Sequence, residues 1–210
     1  IIKGYIAHAL WQIDQVGRRV LKGEKIPHSE KVFSIFQEHT EWISKGKAGV
    51  PVELGLKVCV LNDQYGFILH HQVMEKTTDD AVAVEMVSKA QGRFEQLISC
   101  SFDKGFHSVN NQSELKDYLD LVVLPKKGKC NKEERLRQSS AEFKAERRQH
   151  SAVESDINAL EVHGLDKCPD HGIDGFKRYV SLAVLGRNIQ KLGAELREQD
   201  ATVRKRKQAA

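Results

Sequence analysis

Apolar residues recur along this chain at two spacings, and the switches between them mark its elements. Ile6, Leu10, Ile13, Val16 and Val20 fall at helical intervals between residues 5 and 21, ahead of Lys22-Gly23, which predicts an amphipathic N-terminal helix that packs on something. Residues 25–29, with Pro27, read as a connector. Lys31-Val32-Phe33-Ser34-Ile35-Phe36 is a candidate short strand, and residues 38–47 read as a loop. From Val52 the period changes to two. Val52, Leu54, Leu56, Val58 and Val60 alternate with their neighbours, as do Phe67, Leu69, His71 and Val73, and Asn62-Asp63-Gln64-Tyr65-Gly66 lies between the runs. That pattern predicts a β-hairpin.

Helical spacing returns at Ala83, Met86, Val87 and Ala90, behind Thr77-Thr78-Asp79-Asp80, where Asp79 and Asp80 suit the cap of a helix better than catalysis. A short β-prone run, Leu97-Ile98-Ser99-Cys100-Ser101-Phe102, leads into Asp103-Lys104-Gly105. A short helix around 111–119 precedes a second buried strand, Leu121-Val122-Val123-Leu124, which Pro125 stops. Residues 131–148 read as one charged helix with almost no apolar face, which lies over solvent or meets a charged partner. Val153, Ile157 and Leu160 set the inner face of a helix that Gly164 ends. The final helix, roughly 174–196, is apolar nearly all round from Tyr179 to Leu185 and is expected to be core.

The bulk numbers change this picture little. The chain has 210 residues, long enough for one large domain or one with an insertion, and no apolar stretch of membrane-spanning length. It begins Ile1-Ile2-Lys3-Gly4, without Met or a signal-peptide pattern, and is expected to be a piece of a longer polypeptide. Its four cysteines, at 59, 100, 130 and 168, form no C-x-x-C pair; reduced thiols are expected, with Cys59 and Cys100 as small core residues. Gly46-Lys47 lacks the rest of a phosphate-binding loop.

Charge distribution does change it. Residues 126–148 hold nine Lys/Arg against four Asp/Glu, a surplus of +5 in a chain whose net charge is +4. Arg204-Lys205-Arg206-Lys207 adds four more cations to a tail, 201–210, expected to be disordered. Clustered basic charge suits a polyanion such as DNA, although a solvated helix face has the same composition.

Asp103 ends a buried strand, the place where open α/β sheets carry chemistry, although an acid there also caps turns. A second acid, Glu154, stands at the edge of the buried face of its helix. Two such carboxylates are hard oxygen ligands of the kind Mg²⁺ takes, and two-ion sites use them to transfer phosphoryl groups. A third carboxylate is required. Glu38 or Glu41 qualifies if 31–36 is the first strand, Asp63 if the hairpin starts the sheet, and an acid before residue 1 ranks above all three. The element order predicts one mixed sheet with helices on both faces, the arrangement of the RNase H-like fold with its first strand missing.

Four runs carry a family resemblance: residues 31–47, Ser101-Phe102-Asp103-Lys104-Gly105-Phe106-His107-Ser108, Leu124-Pro125-Lys126-Lys127-Gly128 and His150-Ser151-Ala152-Val153-Glu154-Ser155. Together they resemble bacterial insertion-sequence transposases of the DDE class, most closely the ISNCY group. The resemblance implies an RNase H-like catalytic domain over 31–200, preceded by a helical segment, 1–30, and interrupted by the basic helical insertion. It implies Asp103 and Glu154 as second and third acids of a triad binding Mg²⁺ or Mn²⁺, with the first acid before residue 1. It also implies double-stranded DNA as partner, assembly of several copies on that DNA, and a bacterial cytoplasmic setting. Lys126, Lys127, Lys129, Lys132, Arg147, Arg148 and His150 are the candidate DNA contacts. One departure stands out. The signature Tyr-x2-Arg-x3-Glu-x6-Lys of related transposases falls here on Arg147, His150, Glu154 and Glu161. The competing expectations are an RNase H-like nuclease that cuts without joining, and an inactive remnant that still binds DNA.

Overall fold

A computed structural model describes residues 2–44 and 51–209. The Gly46-Lys47 pair lies outside the described residues. The architecture is mixed α/β, built from seven α-helices and six short strands among the described residues.

Helix α1 (Ile2–Val16) runs into a π-turn at Gly17–Leu21. Its apolar stripe does not pack as expected: Ile6, Ile13, Val16 and Val20 all face solvent. The opposite, polar face holds it. The Gln15 side chain accepts from the Val32 amide at 2.7 Å, and Arg18 reaches Glu24 and Glu30. Residues 31–36 form no strand. The strand comes later, β1 (Glu41–Ser44), inside the stretch that reads as a loop, and pairs antiparallel with β2 (Val52–Gly55).

The alternating run from Val52 to Val60 is therefore split. Beyond Leu56 it becomes β3 (Lys57–Asn62), which pairs with β4 (Ile68–Met74) as the expected hairpin. Asp63 holds the turn by accepting from the amides of Tyr65 and Phe67 at 2.9 and 2.8 Å. Alternation buries both faces of this hairpin. Cys59, Leu61 and Met74 face α2 (Asp79–Gln91) through Val82, Ala83, Met86 and Val87. Val60 and Ile68 meet Leu160 and Val184 on the other side.

Helix α2 begins after Thr78, and its two acids sit in the first turn, where they complement the helix dipole. The same helix covers β5 (Ser99–Ser101) and β6 (Leu121–Val123), a parallel pair joined through α3 (Val109–Glu114). Phe102, Val122 and Leu124 share one core with the hairpin through α2. The single mixed sheet does not form among the described residues: the six strands make three separate two-stranded sheets.

The charged segment is two helices, α4 (Lys132–Ser139) and α5 (Ala141–Gln149). Asn131 and Glu134 close a capping box on α4, and the Ser140 hydroxyl accepts from the Phe143 amide to start α5. Phe143, 4% exposed, gives α5 the buried contact expected to be missing. Helix α6 (Ser151–Leu160) follows and turns at Gly164, whose φ of 104° suits a residue without Cβ. Helix α7 (Gly172–Ala209) then runs for 38 residues, through the stretch expected to be a disordered tail. Only one face of it is core: Val180 and Val184 are buried, while Leu182 and Leu185 are exposed. No described helix is long and apolar enough to cross a membrane.

Candidate functional site

The central feature is a cleft of about 2600 Å³ lined by both β3 and β5. Among the described residues each of these strands is paired on one edge only, β3 with β4 and β5 with β6. Both line the cleft along their whole length. Ala83 and Met86 of α2 contribute to one wall, and Val153, Asp156, Ile157 and Leu160 of α6 to another. Three cleft-lining polar atoms, Asn62 Oδ1, Ser101 Oγ and His150 Nδ1, are buried with no hydrogen-bond partner among the described residues.

Asp103 reaches this cleft from the end of β5. Its Oδ1 accepts from the Lys104 amide at 2.7 Å, which caps the turn at 104–106, so the turn-capping role is realised. Gly105 lets that turn approach α2 closely: a Cβ there would lie 2.7 Å from Asp79 Oδ2. Asp79, which also lines the cleft, pairs with Lys57 at 3.3 Å. Asp79 therefore lies against the turn that follows Asp103, a proximity no sequence spacing indicates.

Glu154 is elsewhere. It is exposed on α6 and is absent from the cleft lining, which α6 supplies from its other side. The acid that α6 buries is Asp156, 7% exposed. Asp156 Oδ1 accepts from Arg187 Nη2 of α7, and Oδ2 from Asn62 Nδ2 of β3, both at 2.7 Å. A signal for it was present, since 153, 156 and 160 fall on one helical stripe and an acid on an apolar stripe is a buried-polar candidate.

The three alternative third acids have structural partners. Glu38 lies 3.6 Å from His8, Glu41 Oε1 accepts from the Lys76 amide at 2.5 Å, and Asp63 holds the hairpin turn. No group of three or more His, Cys, Asp and Glu side chains among the described residues is placed to hold a metal ion. The Mg²⁺ or Mn²⁺ expected from the resemblance thus lacks a fitting ligand set in these residues alone.

The candidate DNA contacts divide in the same way. Lys126 Nζ is bound to both carboxylate oxygens of Glu134, at 2.7 and 2.9 Å. That ammonium, together with the Asn131 amide, holds the Glu134 carboxyl below its usual range. Lys127, Lys129 and Lys132 are exposed on the loop and first turn of α4. Arg148 is exposed on α5. Arg147 is half-buried with Nη1 unpartnered, and His150 is half-buried on the cleft wall.

No family model, curated protein or solved structure matches this chain.

Proposed function

We propose that this chain forms the greater part of an RNase H-like domain of a DDE-class DNA transposase, which cuts phosphodiesters at element ends and joins the freed 3′ ends to target DNA. The observation that carries this reading is the cleft lined by both β3 and β5, each paired with one strand among the described residues, with Asp103 at the end of β5. An antiparallel hairpin and a parallel pair, sharing α2, become one mixed sheet when a single strand lies between them. Such a strand runs antiparallel to β3 and parallel to β5, and its backbone groups satisfy both edges. In this reading the same strand ends beside Asp103 and brings the carboxylate that the described residues do not supply. Lys127, Lys129 and Lys132 hold the flanking duplex by its phosphates.

The test is Asp103→Ala in the polypeptide that carries this chain together with the completing strand. Cleavage of element-end DNA in Mg²⁺ is expected to be abolished, with DNA affinity within about threefold of the parent. Asp103→Asn keeps the amide cap acceptor of the turn and controls for folding. Full metal-dependent cleavage by either variant removes Asp103 from the chemistry. Cleavage without strand transfer by the parent assigns a nuclease instead.

A further inference from the structure

Helix α7 carries an apolar seam that its own chain leaves uncovered. Leu182, Leu185, Ile189, Leu192, Leu196 and Val203 are each 49–60% exposed. Their intervals are three, four, three, four and seven, with Gln199 at the remaining place, so three heptads are represented in register. A period of 3.5 keeps a seam against another helix, whereas a helix lying on a globular body needs a broader face. From Leu196 to Gln208 every residue is exposed, and a stretch of that length is marginal as an isolated helix in water.

Two glycines narrow what covers the seam. Gly186 and Gly193 lie one heptad apart, both on the flank that follows Leu185 and Leu192. Glycine inside a helix costs stability relative to alanine. Among the described residues, nothing outside the helix's own adjacent backbone lies within 4 Å of where a Cβ on Gly186 would stand, and Gly193 meets the tip of Arg197 at 3.6 Å. Internal packing therefore does not require either glycine. A residue without Cβ leaves room there for close approach of a second helix.

We propose that α7 pairs with α7 of a second copy of this chain as an antiparallel two-stranded coiled coil. The six seam residues expose roughly 550 Å² per copy, which sets an upper bound of about 1100 Å² for the pair, at the small end of specific interfaces. Charge selects the direction. Parallel helices would set Glu195 against the partner's Asp200 across the flank and bring both Arg204–Lys207 clusters together. Antiparallel helices separate both. In the register that sets Ile189 against the partner's Leu192, Gly186 faces the partner's Gly193 twice by symmetry. Asn188 then lies beside the partner's Glu195. The inference is independent of the phosphoryl-transfer reading.

Sedimentation velocity at about 50 μM tests it. Wild type is expected at twice the 23.7 kDa chain mass. Leu185→Asp/Leu192→Asp is expected at one chain mass, with folding retained because both side chains are exposed in the single chain. The α1 stripe is the rival occupant, so Ile6→Asp/Ile13→Asp is expected to keep the two-chain mass. A monomeric wild type overturns the proposal, as does loss of the dimer in the α1 variant or its persistence in the α7 variant. With Cys130→Ser and Cys168→Ser in the background, Gln199→Cys is expected not to cross-link on oxidation. A disulfide between the two copies of that variant would mean parallel helices and overturn the antiparallel arrangement.

Discussion

Replacing Asp156 with alanine tests the packing of the cleft most directly. Its carboxylate joins three elements: it accepts from Asn62 at the end of β3 and from Arg187 on α7, each at 2.7 Å, while itself standing on α6. The hairpin turn closes over it, since a Cβ at Gly66 would lie 3.3 Å from Asp156 Oδ2. Deleting one partner of a buried ion pair costs about 3–5 kcal/mol because the other charge is left unpaired. The Arg187 side chain retains 22% exposure, so water recovers part of that charge and the lower end, about 3 kcal/mol, applies. In a chain of this size that is a fall in Tm of roughly 6–12 °C. Urea unfolding followed by far-UV circular dichroism measures it, with an unchanged m-value expected. Asp156→Asn keeps an acceptor and should cost less than half as much. Adding Arg187→Met to Asp156→Ala should recover about 1–2 kcal/mol relative to the sum of the single variants, because no orphaned charge remains. A destabilisation below about 0.5 kcal/mol for Asp156→Ala, or strict additivity in the cycle, refutes the buried three-way contact.

Two further outcomes follow from local geometry. Replacing Lys127, Lys129 and Lys132 with alanine should flatten the slope of log K against log salt for DNA binding by roughly 2.7, about 0.9 for each phosphate no longer neutralised. Lys126→Ala, whose ammonium is committed to Glu134, should leave that slope unchanged and act on stability. Equal slopes for wild type and the triple variant would show a merely solvated surface. Burial pushes the Cys59 thiol, and that of the only partly buried Cys100, up to about 12, aided by the Asp79 charge at Cys59 and by Cys59 at Cys100. Unfolded thiols release their protons near 9, so above that pH the unfolded state binds fewer protons and stability falls, until the folded thiols ionise near 12. Below pH 9 the contribution is fully present. The unfolding free energy from urea titrations should therefore fall further between pH 8.5 and 10.5 in wild type than in Cys59→Ala/Cys100→Ala, by about 2 kcal/mol or more. Superimposable pH profiles would contradict burial of the two thiols.

The amino-acid sequence by itself determined those elements whose signals are local. The β3–β4 hairpin, α2, the strand running into Asp103, the strand stopped by Pro125 and the turn at Gly164 all follow from period and turn residues, which act within a few residues of themselves. Tertiary structure decided the rest, because period shows that a face is apolar without showing what covers it. One alternating run from Val52 to Val60 was divided between two sheets, since either half satisfies the same pattern against a different partner. On α6 the acids at 154 and 156 are two residues apart, about 200° around the helix, and only the positions of β3 and α7 decided that Asp156 is the buried one. A charge-rich segment became two helices, divided at Ser140, which caps the second, and Phe143 of that helix reached the core. The α1 stripe reads as packed and the 179–185 stretch of α7 as core on periodicity alone, yet the α1 stripe, Leu182 and Leu185 face solvent, because none of the described residues covers them.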